Sequence, residues 1–292
     1  MCMHKHLKIT ITIALFLVLF SPQAVKADIT TGLVGHWKLN EGSGTTAADS
    51  DSGGEDGAFV GMDDTNWVTG KIGDYALDFD GVSERVQITN NGTGWATNVD
   101  AVTIAFWIKV KNIANYDGAI AQGNWGSNFI YFFTYGNKWW TRITSTTGSA
   151  NNYSCLTTSA ALGYLTTTDD TFHHVVATCD FPGSSGKLYS DGVQTGGTDI
   201  YVSGQANISG GGDLFLGGFS SSNGLNAEID DIRIYNRVLS TDDIAELYAY
   251  TEPEPVTTTT SAATIYRRTT KPTISSVQAI DITDTTATIT WN

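Results

Sequence analysis

Basic side chains are scarce in this chain: 16 Lys and Arg stand against 30 Asp and Glu over 292 residues, a net charge of -14. An acidic surface of this kind repels nucleic acid and anionic membrane, so neither is expected as a partner. Long apolar runs are also missing. The one run, Ile9 to Phe20, is too short to span a bilayer. It lies between the basic residues Lys5 and Lys8 and the small-residue site Val25-Lys26-Ala27. That order reads as a secretory leader over residues 1–27, with no membrane insertion after its removal. Loss of Lys5, Lys8 and Lys26 with the leader leaves 13 basic against 30 acidic residues, a net of -17.

Cysteine is nearly absent as well. Of 3 cysteines, Cys2 leaves with the leader. Cys155 and Cys179 remain, an even number in an oxidising compartment, and are expected to form a disulfide. The alternative is two buried thiols on neighbouring strands. No phosphate loop, nucleotide fingerprint, zinc spacing or Ser/His/Asp arrangement is present. The adjacent His173 and His174 point to opposite faces of a strand and read as core or cross-strand residues.

Helical periodicity is missing before Thr241. What the chain has is Gly, Ser, Thr and Asn between short alternating apolar runs. Val34 to Leu39, Ala76 to Phe79, Arg85 to Ile88, Val102 to Val110, Asn128 to Tyr135, Lys138 to Ile143, Phe172 to Cys179, Lys187 to Ser190 and Leu214 to Gly217 all read as strands. Their number and spacing predict an all-β sandwich of two antiparallel sheets. One short helix is expected after the last strand, where Ser240 and Asp243 form a capping box ahead of Ile244 and Leu247.

The clearest local prediction is a hairpin across Gly136-Asn137. It sets Tyr135 opposite Lys138, Phe133 opposite Trp140 and Tyr131 opposite Arg142 on one face. Thr134 and Trp139, Phe132 and Thr141, and Ile130 and Ile143 pair on the other, which suits the core. The aromatic face, with Trp125 in the preceding loop, is a candidate platform for stacking sugar rings. Its expected ligand contacts are Trp125, Tyr131, Tyr135, Trp140 and Arg142. The competing expectation is that these aromatics are themselves the sandwich core.

Several blocks resemble a known family in its order along the chain: Gly32-Leu-Val-Gly-His-Trp-Lys-Leu-Asn, the acidic glycine-rich loop Thr45 to Gly57, Tyr75-Ala-Leu-Asp-Phe-Asp-Gly81, Phe172-His-His-Val-Val-Ala-Thr-Cys-Asp, Lys187-Leu-Tyr-Ser-Asp-Gly-Val, and the closing strand and helix Asn226 to Tyr248. Together they resemble LamG-like jelly rolls of the concanavalin A-like lectin/glucanase superfamily, over residues 28–250. The resemblance implies a jelly-roll sandwich and a structural calcium shared between the acidic loop and the closing strand. Asp49, Asp51, Glu55 and Asp56 supply carboxylates in the loop. Alternation sets Asp230 on the face of Ile232 and Ile234, so it is expected to point inward. Calcium takes six to eight oxygens, and the expected side-chain ligands are Asp49, Asp51 and Asp230. The alternative for Asp230 is to cap backbone amides or pair with Arg237.

Glu228-Ile-Asp230-Asp-Ile-Arg233 also resembles the Glu-x-Asp-x-x-Glu strand of jelly-roll laminarinases and agarases. Arg233 stands where the acid/base glutamate would be needed, so catalysis is not expected. After Tyr250 a Thr/Pro-rich linker, residues 251–271, leads to residues 272–292, which resemble the first two strands of a fibronectin type III domain cut short. The reading is a secreted or cell-surface, non-catalytic module. Its expected partner is an extracellular polysaccharide or glycan, or a surface or matrix protein. A polysaccharide-degrading enzyme and a structural spacer are the alternatives. Asn91, Asn152 and Asn207 lie in glycosylation sequons.

Overall fold

A computed structural model describes residues 28–51, 53–89, 99–124, 127–144, 153–159, 161–165, 169–180, 185–195, 201–202, 212–219, 224–252, 277–280 and 288–291. The expected leader, Trp125, the sequon residues Asn91, Asn152 and Asn207, and most of the linker lie outside them. The chain divides into two compact units after Glu252.

The first unit is built from two antiparallel sheets. One contains Leu33–Trp37 (β1), Trp67–Thr69 (β4), Tyr75–Asp80 (β5), Ala101–Asn112 (β7), Phe172–Asp180 (β12), Ser185–Ser190 (β13), Val193–Gln194 (β14) and Asn226–Tyr235 (β17). Its order is β14-β13-β12-β7-β17-β5-β4, with β1 also pairing β17. The other contains Thr46–Ala47 (β2), Gly57–Val60 (β3), Arg85–Ile88 (β6), Gly118–Asn124 (β8), Ser127–Thr134 (β9), Trp139–Thr144 (β10), Tyr153–Thr158 (β11), Tyr201–Val202 (β15) and Leu214–Leu216 (β16). Its order is β15-β11-β10-β9-β8-β16-β6-β3-β2. The many crossovers between neighbours distant in sequence give the jelly roll its double-sheet form.

The core lies between the sheets. Phe79, Ile104, Phe106, Val175, Ile229 and Ile232 from the first sheet meet Val86, Ile120, Ile130, Phe132, Trp139 and Leu216 from the second. Phe106 packs edge-on against both Phe132 and Trp139. Each strand gives alternate residues to this layer, the period-2 pattern of its sequence. Cys155 of β11 and Cys179 of β12 are joined by a disulfide, which ties the two sheets through the core.

The helix Thr241–Ala249 (α1) starts at Ser240, whose hydroxyl accepts from Asp243 N while the Asp243 side chain accepts from Ser240 N. Ile244 and Leu247 are buried against Ala105, Val176, Leu239 and Tyr235, on the outer side of the first sheet. The helix therefore covers the face that the sandwich core leaves. In the second unit, Val277–Ile280 (β18) pairs antiparallel with Thr288–Trp291 (β19). Among the described residues no helix is long and apolar enough to cross a membrane.

Candidate functional sites

The predicted hairpin register is the observed one: Phe133 lies opposite Trp140, Tyr131 opposite Arg142, and Ile130 opposite Ile143. Gly136 and Asn137 both have φ of 60°, so the two-residue turn is of the primed type that matches strand twist. Ile130, Phe132, Trp139 and Ile143 belong to the sandwich core. Tyr131 and Phe133 form a separate cluster with Ala121, packed by Trp140 and Phe219, on the opposite face of the sheet. The aromatic face is thus distinct from the core.

This cluster is a stack with a buried base and an exposed edge. Tyr131 and Phe133 lie nearly parallel with centroids 4.7 Å apart. Gly118 makes room for the Tyr131 ring, since a Cβ there would come within 2.5 Å of it. Tyr131, expected to touch ligand, is only 2 % exposed and supports the surface from below. Its hydroxyl donates to Tyr116 O, and the rings above it take up the solvent-facing positions. Tyr135 is 41 % exposed, and so is Tyr116 at 48 %. Tyr116 stacks on Phe133 and leans on Tyr135. Trp140 is half-buried, stands edge-on to Tyr135 and donates its indole N–H to Tyr135 O. Sequence periodicity could not find Tyr116, because it sits in the turn between β7 and β8.

The acidic loop forms a second site. Ligand oxygens of Asp49, Asp51 and Glu55 lie within 4.8 Å of one another. Asp49 accepts from His36 N (2.9 Å), Asp51 N (3.1 Å) and Glu55 N (3.3 Å), which folds the loop around it. Burial raises the Asp51 and Glu55 pKa values, and the neighbouring acids raise them further. An all-oxygen donor set whose members repel one another fits a hard cation.

Asp230, expected to share the ion, is not among the carboxylates grouped in this loop. Its Oδ2 accepts from Lys71 N (2.6 Å) and Ile72 N (2.8 Å), the amide-capping alternative. It does not point inward. Ala227, Ile229, Ile232 and Ile234 all face the core, so the alternation breaks between Ile229 and Ile232. The cause is a bulge: the β7–β17 register shifts between Asp230 and Arg233, and Asp231 has φ of 45°. A bulge inserts one residue and flips the phase of those beyond it. Asp230 thus lies across from Trp107, itself across from His174, in one row on the outer face. Arg237 pairs with Asp243 instead.

Glu228 shares that outer face, but ion pairs with Lys109 (2.6 Å) and Lys111 (3.5 Å) engage it. Asp230 is fully buried, and burial pushes its pKa up to about 7. Arg233 is committed to Asp231, which also meets His36 Nε2 at 2.7 Å. Trp107 and His174 of this row lie against each other, and Tyr248 of α1 packs on both. His173 faces the other way, stacked on Tyr164 at 3.9 Å with a carboxylate on each ring nitrogen: Asp191 at 2.8 Å and Asp169 at 2.9 Å.

The double-sheet jelly roll places the first unit among the antiparallel β-sandwiches. Residues 80–245 match the family described as the concanavalin A-like lectin/glucanases superfamily, and the chain belongs to it. No curated protein matches the sequence. Among solved structures, the receptor binding domain of botulinum neurotoxin C/D mosaic serotype is similar at TM-score 0.57 and 14 % identity, over 75 % of this chain and 51 % of that one. The binding domain of botulinum neurotoxin DC in complex with SialylT is similar at TM-score 0.57 and 15 % identity, over 76 % and 52 %. The sialidase of Trypanosoma rangeli is similar at TM-score 0.52 and 17 % identity, over 75 % and 33 %. The chain therefore spans about half of the two toxin domains and a third of the sialidase, and the likeness is one of fold.

Proposed function

We propose that this protein is a secreted or cell-surface, non-catalytic module that binds extracellular glycan through the outer aromatic face of the second sheet. The observation that carries this reading is the placement of Tyr135, Trp140 and Tyr116 outside the sandwich core, two of them more than 40 % exposed. Exposed aromatic rings backed by a rigid sheet suit the apolar faces of sugars, and Arg142 on the same face adds a hydrogen-bonding edge. The state of the carboxylates on β17 supports a binding role without hydrolysis. A retaining glycosidase needs two accessible carboxyl groups flanking its substrate. Glu228 is ion-paired, Asp230 is fully buried, and Arg233 occupies the third position. The acidic loop would hold calcium as a structural ion through Asp49, Asp51 and Glu55. Residues 272–292 would begin a fibronectin type III domain, with β18 and β19 as its opening hairpin.

The test is binding of the secreted chain to a panel of polysaccharides and oligosaccharides, with product release monitored. Retention without product, weakened by Tyr135→Ala and by Trp140→Ala at unchanged Tm, supports the reading. Release of shortened product would establish an enzyme instead. Absence of all glycan binding would direct the search to surface or matrix proteins.

A further inference from the structure

Tyr116 has φ of 73°, in the left-handed region. A bulky side chain there is an outlier, because its Cβ crowds the backbone. A glycine would trace the same turn without that conflict. The turn is nonetheless fastened in this geometry to the end of β9. Tyr116 N donates to Thr134 O (2.6 Å), and Thr134 N to Asp117 O (3.1 Å). Thr134 Oγ1 donates to Ala114 O (2.8 Å), Ala114 N to Asp117 Oδ2 (2.6 Å), and Gly136 N to Asn115 Oδ1 (2.8 Å).

The outcome of these bonds is a fixed ring that remains exposed. The Tyr116 ring lies at 17° to Phe133 with centroids 5.9 Å apart, and at 46° to Tyr135 with centroids 5.0 Å apart. It stays 48 % exposed. A residue recruited for packing would be buried. Backbone strain maintained around an exposed side chain argues that the side chain itself is what the turn exists to display.

We propose that Tyr116 contacts ligand directly and forms with Tyr135 a bent, two-panel stacking surface for a saccharide chain of at least two sugar units. The proposal rests on the glycan-binding reading. The two rings touch, so no sugar fits between them; each sugar lies on a panel. The bend means that one sugar can lie flat on one panel only. A chain whose successive rings turn relative to each other can set an apolar C–H face on both. Phe133 braces the first panel, and Trp140, edge-on to Tyr135, braces the second.

The experiment compares wild type, Tyr116→Phe, Tyr116→Ala, Tyr116→Gly and Tyr135→Ala for binding to gluco-, galacto- and arabino-oligosaccharides from mono- to hexasaccharide, alongside thermal melts. For the oligosaccharide that wild type binds, disaccharide should exceed monosaccharide. The Ala and Gly variants should each lose about five- to tenfold in affinity, the worth of one aromatic contact, and Phe should stay within about twofold. The Gly variant should melt above the Ala variant, since it removes the same ring and also relieves the backbone. A structural role for the ring would not separate binding from stability in this way. Wild-type affinity in Tyr116→Gly, with binding lost in Tyr135→Ala, would sink this proposal and leave the glycan reading standing. Equal affinity for mono- and disaccharide would sink the two-panel surface. Failure of wild type to bind any saccharide would overturn both.

Discussion

Asp230 and Asp231 are consecutive on β17, yet the bulge they share leaves them in surroundings that shift their acidities in opposite directions. Asp230 is buried with Oδ1 lacking a hydrogen-bond partner, and its two amide bonds do not offset the burial that raises its pKa to about 7. Asp231 is equally deep. Burial alone would raise it too, but the His36 hydrogen bond and the Arg233 charge outweigh that and hold it below the usual carboxylate value. One acid titrates near neutrality, and the other stays ionised as the hub of an ion-paired cluster.

Replacing Asp230 by Asn should therefore stabilise the protein at alkaline pH. A carboxyl whose folded pKa exceeds its unfolded one binds more protons when folded between the two values. The stability it lends is full below 3.8 and is lost as pH rises to about 7. Asn keeps an oxygen for Lys71 N and Ile72 N without the charge. Urea unfolding at pH 8 should show a gain on the order of 2 kcal/mol, with little difference at pH 4. A loss of stability at pH 8 would mean that the ionised carboxylate has a partner, such as a cation. Asp231→Asn should do the reverse. It strands the buried Arg233 guanidinium and should cost about 3–5 kcal/mol near neutrality.

His173 makes a pH prediction of the same sign at a higher pH window. A neutral imidazole has one N–H, yet carboxylate oxygens lie within hydrogen-bond distance of both ring nitrogens. Burial alone would lower its pKa, but Asp191 and Asp169 outweigh it and raise the value above 6.5. Its contribution is full below 6.5 and is lost as pH rises through the raised folded value. Because Asp169 is exposed and screened, the effect should be about 1 kcal/mol. NMR of the ring nitrogens should show a doubly protonated ring at pH 6.5. His173→Gln should flatten the fall in Tm from pH 6 to pH 9, and an unaltered slope would remove His173 from the account.

Addition of calcium should raise Tm and chelation should lower it, if the acidic loop holds the ion. Binding to the native state alone stabilises by about 2.7 kcal/mol at a hundredfold excess over Kd. Asp51→Asn and Glu55→Gln should abolish that response while Asp230→Asn should keep it, since Asp230 lies apart from the loop. A calcium response lost in Asp230→Asn would restore the shared site expected from sequence.

The fold was legible wherever alternation is regular and the turn chemistry specific. The β9–β10 register followed from Gly136-Asn137, and α1 from Ser240 and Asp243. Strand β8, Gly-Ala-Ile-Ala-Gln-Gly-Asn, escaped because small residues carry little pattern, and β2, β14 and β15 are two residues long. The direction of Asp230 was not legible for a definite reason. Alternation from Ile232 back to Asp230 assumes a regular strand, and the extra residue at Asp231 reverses the phase. Aspartate tolerates the left-handed conformation that the bulge needs, but an Asp-Asp pair within an apolar strand does not announce one. Tyr116 was hidden for a related reason: turns have no period, so exposure there is a property of the folded chain alone.

Opening the Cys155–Cys179 bond should destabilise the sandwich without changing its shape. The cysteines are 24 residues apart in sequence, and their Cα atoms lie 6.3 Å apart. Closing a loop of that length removes unfolded-state entropy equivalent to about 3 kcal/mol at 25 °C. Both cysteines are at most 1 % exposed and sit in the core with Leu188 and Val102, so two small thiols can remain packed there. The Cys155→Ala/Cys179→Ala variant should keep its β-sheet circular dichroism and unfold at lower urea concentration. Reductant should reach the native bond slowly and act fully only once the protein is partly unfolded. A double variant as stable as wild type would show that the unfolded chain is already compact in this region, so that the cross-link removes little freedom.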